Sequence, residues 1–519
     1  MPRADLLLAI DHGTQSARAI LFDLEGNTVA RSKVPIQPYV SAQPGWAEQD
    51  GEVYWQAVCA ACQALWAETG DLRSRVCAVA LTTQRGTILA LDDEGTPLRP
   101  AITWLDQREA TQLPPMGGAW PLLFSAIGMG ATMDYFRRQA ECNWIAGHEP
   151  KLWEATRKLA LLSGFLTLRL TDRFADSVGC AVGYLPFNYK RLAWCGAREW
   201  QWRALAVRPD QLPTLHKPGE RIGEISPSAA LATGIPAGLP LIAAAADKAC
   251  EVLGSGCLEP DVGCISYGTT ATINVANRRY VEPVPFLPPY PAAVPDAYNT
   301  EVQIFRGFWM VEWFKGQFGF EEVARARDAG HPPERLFDEM IRDIPAGSMG
   351  LTLQPYWTPG IRLPGREAKG AIIGFGDVHT RAHVYRAILE GLAYGLREGA
   401  ERVQRRTGVP IERLRVSGGG SQSDEAMQIT ADVFNLPAER PHTFETSALG
   451  AAMAAAVGSG LHSDFPTAVA RMTRVGRAFA PRPEAARTYD ALYRGVYQRM
   501  YGRLRPLYQA IRDVTGYPA

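Results

Sequence analysis

The sequence has no apolar run long enough to cross a bilayer; the most apolar helical candidate, Ala448–Val457, is far too short. Leu6–Ile10 is also too short for the core of a signal peptide, and Asp11 interrupts it, so a cytoplasmic protein is expected. Neither sign of charge is in excess, with 54 Lys+Arg against 54 Asp+Glu. That balance gives no reason to expect nucleic acid or a membrane as a partner. A paired cysteine framework is lacking too. The nine cysteines are odd in number, and Cys59-x-x-Cys62 has no second pair at zinc-ribbon spacing. Those two read as buried residues of an amphipathic helix. There is no Gly-Lys dipeptide, which excludes a P-loop, and neither His-Arg-Asp nor Asp-Phe-Gly occurs, which excludes a protein kinase. Gly418-Gly419-Gly420 lacks the second half of a dinucleotide fingerprint, so Rossmann-type NAD binding fits poorly.

What is present is an ordinary globular composition, 46% hydrophobic and 21% charged, over 519 residues. That length exceeds what one core usually supports, so two or more domains are expected. Leu6–Ile10, Ala17–Asp23 and Thr28–Val34 read as strands. A Pro/Gly loop, a helix through Trp66 and the strand Val76–Thr82 follow. Strands first and then alternation predict an α/β layered domain. The Pro-rich stretches Val281–Pro295 and Ile361–Gly365 read as loops or insertions.

One plan occurs twice. Gly13-Thr14 lies between two apolar strands, and "GCISYGTTATINVA" places Gly268-Thr269 between Cys264–Tyr267 and Ala271–Val275. Two strand–Gly-Thr–strand hairpins, one per half, predict a duplicated domain and a cleft with a donor-rich turn on each wall. Further on, "RLRVSGGGSQSDEAMQ" is a strand, a Gly-rich turn and a helix, an arrangement that favours an anion or a flat ligand. Residues 384–396 follow helical apolar spacing with glycines in the stripe, which predicts close backbone packing. "ETSALGAAMAAAVGSG" reads as another tight helix, with cap-type residues at Thr446 and Ser447.

In "PLIAAAADKACEVLGSG" an apolar strand leads to Asp247, and helix-like sequence follows. Asp247 can cap that helix, or it can be a general base on the cleft floor. A carboxylate there suits removal of a proton from a sugar hydroxyl attacking a phosphoryl group. Positioning and charge stabilisation would do the rest, because phosphoryl transfer has a loose transition state.

Taken together, the chain resembles the FGGY family of carbohydrate kinases over nearly its whole length, in the correct order. Asp11-x-Gly13-Thr14-x-Ser16-x-Arg18 resembles the first phosphate motif, and "QPGWAEQDGEVYW" the Pro-Gly-Trp segment after it. "TTQRGT", with Gln84 and Arg85, and "ITWLDQR", with Trp104, Asp106 and Arg108, are similar to its polyol-binding pieces. Asp247 matches the catalytic base, Tyr267-Gly268-Thr269 the second phosphate motif, and Ser417–Ser423 the adenosine motif. Gly370–Arg397 and Glu445–Ala452 resemble the closing segments.

The resemblance implies an α/β fold of two ribonuclease-H/actin-like domains, here residues 1–254 and 255–519, closing over ATP and sugar. It implies ATP and Mg²⁺ as cofactors, with Asp11 holding the metal. Gly13, Thr14, Gln15, Ser16, Arg18, Gly268 and Thr269 would serve the phosphates, and Gly419, Gly420 and Ser423 the adenosine. Gln84, Arg85, Trp104, Asp106 and Lys248 would face a small sugar or polyol, and a homodimer is allowed. Plainer roles stand beside these. Asp11 can be a turn acid bonded to its own backbone, Trp104 a core aromatic, and Arg85 with Asp106 a salt bridge.

Two departures bear on the substrate. Gly86 stands where glycerol kinases have Glu, and the Met-His of xylulokinases is absent. Lys248 stands where glycerol kinases usually have Gln; an ammonium there can tune Asp247 or meet an oxygen-rich substrate. A four- or five-carbon ketose or polyol is expected, with a sugar acid or glycerol as alternatives. Outside catalysis of sugar phosphorylation, an actin- or chaperone-like ATP-driven clamp and a kinase-like regulator remain open.

Overall fold

The computed structural model describes residues 5–284, 287–358, 360 and 364–517, so parts of both Pro-rich stretches (285–286 and 361–363) lie outside the described residues. Two sheets carry the structure, and they share one plan. From edge to edge the first runs Arg221–Glu224, Pro240–Ala243, Val76–Thr83, Leu6–His12, Ser16–Phe22, Thr28–Pro35. The second runs Val475–Phe479, Ala438–Pro441, Arg413–Ser417, Val262–Tyr267, Ala271–Asn277, Tyr298–Ile304, and adds the two-residue strand Tyr290–Pro291. In both, a hairpin strand pairs antiparallel on one side and parallel on the other. Apart from that added strand, only the far edge differs: its antiparallel strand precedes its neighbour in the first half and follows it in the second. The duplication expected from the two Gly-Thr hairpins is thus a duplication of sheet topology.

Leu6–His12 is buried along its whole length because helices cover both faces of its sheet. On one face lie Gly51–Thr69 and Leu162–Thr171, packing Tyr54, Val58, Leu65, Phe165 and Leu166 against Leu6, Leu8 and Ile10. Cys59 and Cys62 sit in the first of these helices, and all nine cysteines are free. On the other face lie Asp247–Gly254 and, from the far end of the chain, Thr446–Gly458. The latter brings a run of alanines against Leu7, Ala9, Ile20 and Ala78, so the two halves share a core. The second sheet packs on the 27-residue helix Arg381–Thr407.

The glycines explain how close these layers come. A Cβ on Gly391, Gly395 or Gly399 would lie 2.6 Å from Leu353 O, 2.7 Å from Ile304 Cδ1 or 2.9 Å from Val302 Cγ1. Between Asp247–Gly254 and Thr446–Gly458 the fit is tighter: a Cβ on Gly254 would lie 1.9 Å from Thr446 O, and one on Gly450 2.0 Å from Cys250 O. Backbone meets backbone there. The second helix begins one residue earlier than its cap-type sequence suggests, with Glu445 at the cap position and Thr446 already helical. Among the described residues no helix is long and apolar enough to cross a membrane.

Candidate active site

The carboxyl ends of the parallel strands Leu6–His12, Val76–Thr83 and Pro240–Ala243 open on one edge of the first sheet. Asp11 lies across the hairpin from Arg18 and beside Thr82 on the parallel neighbour. The Arg18 guanidinium donates to Asp11 Oδ2 and to Glu445 Oε2, each at 3.2 Å, and so ties the first hairpin to the end of the chain. Asp11 therefore pairs with a side chain rather than with its own turn. Its carboxyl is pushed up to about 7 by burial and by Asp247, Glu445 and Glu251 nearby, with Arg18 opposing.

Thr82 Oγ1 donates to Ala245 O at 2.8 Å and so fixes the loop that delivers Asp247. The helix cap is Ala246, and Asp247 is the first helical residue, its Oδ1 accepting only from the neighbouring Lys248 N–H at 2.7 Å. It does not occupy the cap position. Burial raises the Asp247 pKa, while Lys248 and Arg85 oppose the rise.

The first turn closes on itself, Gly13 N–H donating to Ser16 O at 3.0 Å, and leaves Gln15 exposed and Ser16 buried. Beside it Thr14 Oγ1 donates to Gln84 Oε1 at 2.8 Å, and Trp104 Nε1 reaches both, at 3.1 and 3.2 Å. Trp104 is 40% exposed and is no core aromatic. Gly86 has φ +67°, a conformation that disfavours any side chain, and a Cβ there would lie 3.5 Å from Trp104 Cβ.

Arg85 and Asp106 do not meet. Arg85 crosses to the other half, donating to Glu301 at 3.0 and 3.3 Å, with its guanidinium 4.8 Å above the Tyr290 ring. Asp106 is buried and spends both oxygens locally, on Arg108 at 2.7–2.9 Å and on Ala47 N–H at 2.6 Å. It shapes the loop that carries Trp104 and presents no open oxygen. Lys248 Nζ donates to Glu251 Oε2 at 2.8 Å and to Ser266 Oγ at 2.7 Å.

In the second half Gly268 O accepts from Phe308 N–H at 3.0 Å, and Thr269 is exposed. Gly418, at φ +81°, lets the Gly-rich turn lie on Tyr267, whose backbone a Cβ would approach to 2.8 Å. Gly420 rests on Phe308, whereas no atom lies within 4 Å of a Cβ on Gly419, so a flat ligand has access there. Ser423 caps the helix Asp424–Phe434 and donates to Asp338 Oδ1 at 2.6 Å, so its hydroxyl is already engaged. Glu251, Glu301, Tyr290 and Glu445 were not singled out from sequence. For Glu251 a signal existed: it stands four residues after Asp247, on the same helix face.

Among the described residues no three His, Cys, Asp or Glu side chains cluster as a metal cage. Asp11 nevertheless fits Mg²⁺, which commonly takes one or two carboxylates and completes its shell with water and phosphate oxygens. A buried acid beside three others, opposed by one guanidinium, is short of positive charge.

A cavity of about 520 Å³ on the first half, among Trp55, Lys158, Arg169 and Phe174, shares no residue with this site. Between Arg85, Lys248 and Glu301 the space is about 10 Å³, so the halves are in contact there. Two like sheets meeting around carboxylates, with a Gly-Thr turn in each, define an actin-like, two-lobed class of protein.

The chain belongs to the FGGY family of carbohydrate kinases: residues 6–254 match the family's N-terminal domain and residues 263–459 its C-terminal domain. It is 30% identical to the uncharacterized sugar kinase YgcE of Escherichia coli (strain K12), over 95% of this chain and 92% of that one. It is also 30% identical to a glycerol kinase of Koribacter versatilis (strain Ellin345), over 93% and 95%. Among solved structures, a xylulose kinase from Rhodospirillum rubrum superimposes with a TM-score of 0.79 at 26% identity, covering 97% of this chain and 100% of that one. The protein is thus a carbohydrate kinase of a family that uses ATP, and the non-enzymatic alternatives fall away.

Proposed function

We propose that this kinase transfers the γ-phosphoryl group of ATP to a terminal hydroxyl of a neutral four- or five-carbon ketose or polyol. The observation that carries this reading is Asp247, half-buried in the first turn of its helix, with Asp11, Arg85 and Lys248 around it. Its raised pKa makes it a better base than an exposed carboxylate, and it accepts the proton as the sugar oxygen attacks. Trp104 offers an apolar face to the sugar carbons, and Gln84 and Arg85 offer polar partners to its hydroxyls. The Gly13-Thr14 and Gly268-Thr269 turns serve the phosphates, and the open face of Gly419 the adenosine. Asp11 would hold Mg²⁺, which when bound supplies charge neutralisation at the phosphates.

Lys248 leaves the list of sugar ligands. Its ammonium already has Glu251 and Ser266 as partners, and Arg85 already has Glu301, so neither needs a sugar carboxylate to balance its charge. Gly86 withholds the carboxylate that would grip glycerol. Steady-state kcat/KM over three- to six-carbon polyols, ketoses and aldonic acids, read as ADP release, tests this. Neutral four- and five-carbon substrates should rank first; a first place for glycerol or an aldonic acid would refute the pocket reading.

A further inference from the structure

Lys248 stands where glycerol kinases usually have Gln, and the transfer chemistry assigns it nothing. Its surroundings do. The ammonium is held within its own helix by Glu251 Oε2 at 2.8 Å and from the second sheet by Ser266 Oγ at 2.7 Å. Glu251 Oε1 in turn accepts from Ser417 Oγ at 2.7 Å. Ser266 stands two residues before Gly268, and Ser417 immediately before Gly418. One half-buried ion pair, on the helix that begins with Asp247, is therefore bonded to both strands that end in nucleotide turns. The acids around the ammonium are Glu251, Asp247 and Glu301, and Glu301 is already taken by Arg85.

We propose that Glu251 is a positioning residue: it holds the Lys248 ammonium off Asp247 and ties the base's helix to both nucleotide strands. This rests on reading Asp247 as the base. Without the Glu251 carboxylate, the ammonium keeps only Ser266, and Asp247 is the remaining unspent acid within its surroundings. A lysine can donate three hydrogen bonds, and one made to Asp247 occupies the lone pair that must accept the sugar proton. The pair also works in the opposite sense. Because Ser266 and Ser417 grip it from the second half, a shift of either nucleotide strand is passed to the first turn of the Asp247 helix.

The test uses the full-length kinase and its best neutral substrate. Glu251→Gln should lower kcat about tenfold or more, with sugar KM and ADP affinity within about threefold of wild type. Adding Lys248→Met to that variant removes the stray ammonium and should recover most of the lost kcat. An unchanged kcat in Glu251→Gln, or a double variant as slow as the single one, overturns the proposal. Ser266→Ala keeps both charges and so decides the matter even if Glu251→Gln does not fold. It should raise the KM for ATP about threefold and leave the sugar KM unmoved, and an unmoved KM for ATP counts against the tie. Full activity in Asp247→Asn would instead sink the base reading, whatever the ratio of single to double variant.

Discussion

At the scale of single residues, the sequence places acids well and their partners poorly. Asp11 and Asp247 are legible because each ends a buried apolar run, where an unneeded charge is costly. Arg85–Glu301 is not legible, since the two are 216 residues apart and meet only when the halves close. Asp106 shows the converse: a motif acid that looks available from sequence is hydrogen-bonded by Arg108 two residues on. Asp11 also makes a pH prediction. Its carboxyl rises from 3.8 to about 7 on burial, so the folded protein keeps a proton that the unfolded chain has lost. Raising the pH from about 4 to 7 therefore costs the ligand-free fold stability at this site. Asp11→Asn lacks that titration, so its melting temperature should gain on wild type between about pH 5 and 8. A gain that shrinks with pH would contradict the assignment.

Among elements, the strands and the Arg381–Thr407 helix follow their periodicity closely, because apolar spacing depends only on which face is buried. What spacing could not show is which helix covers which sheet. Thr446–Gly458 reads as a tight helix of the second half, yet it packs on the first sheet and on the helix that begins with Asp247. Its small residues are the trace of that contact. Gly450→Ala would place a methyl 2.0 Å from Cys250 O, where only backbone could yield. The cost should be about 1–3 kcal/mol, seen as a lower melting temperature, together with a fall in kcat as the Asp247 helix shifts. Gly316→Ala is the control: it is helical, exposed and free of neighbours within 4 Å, and should be neutral or stabilising by up to about 1 kcal/mol. Equal losses in the two variants would mean that the contact does not set the spacing.

At the scale of the whole molecule, the two lobes meet through Arg18–Glu445, Arg85–Glu301 and Lys248–Ser266, and the space between the last two pairs is about 10 Å³. That is room for about one water. A ligand can enter between Arg85, Lys248 and Glu301 only if the lobes part there, so the free protein should be more open in solution than after ligands bind. Small-angle scattering should show a smaller radius of gyration with nucleotide and sugar than without; an unchanged radius, from a free form shown not to be closed already, would contradict this. The repeated Gly-Thr hairpin made the two lobes legible, whereas their closure depends on pairs that no local pattern marks. If Asp247 drives sugar-dependent phosphoryl transfer across this cleft, its loss must show in ADP release. ADP release with ATP and Mg²⁺ should require a neutral sugar or polyol in the wild type and fall about 10²-fold or more in Asp247→Asn, while that variant still binds ADP. Near-normal, sugar-dependent ADP release by Asp247→Asn would contradict the account.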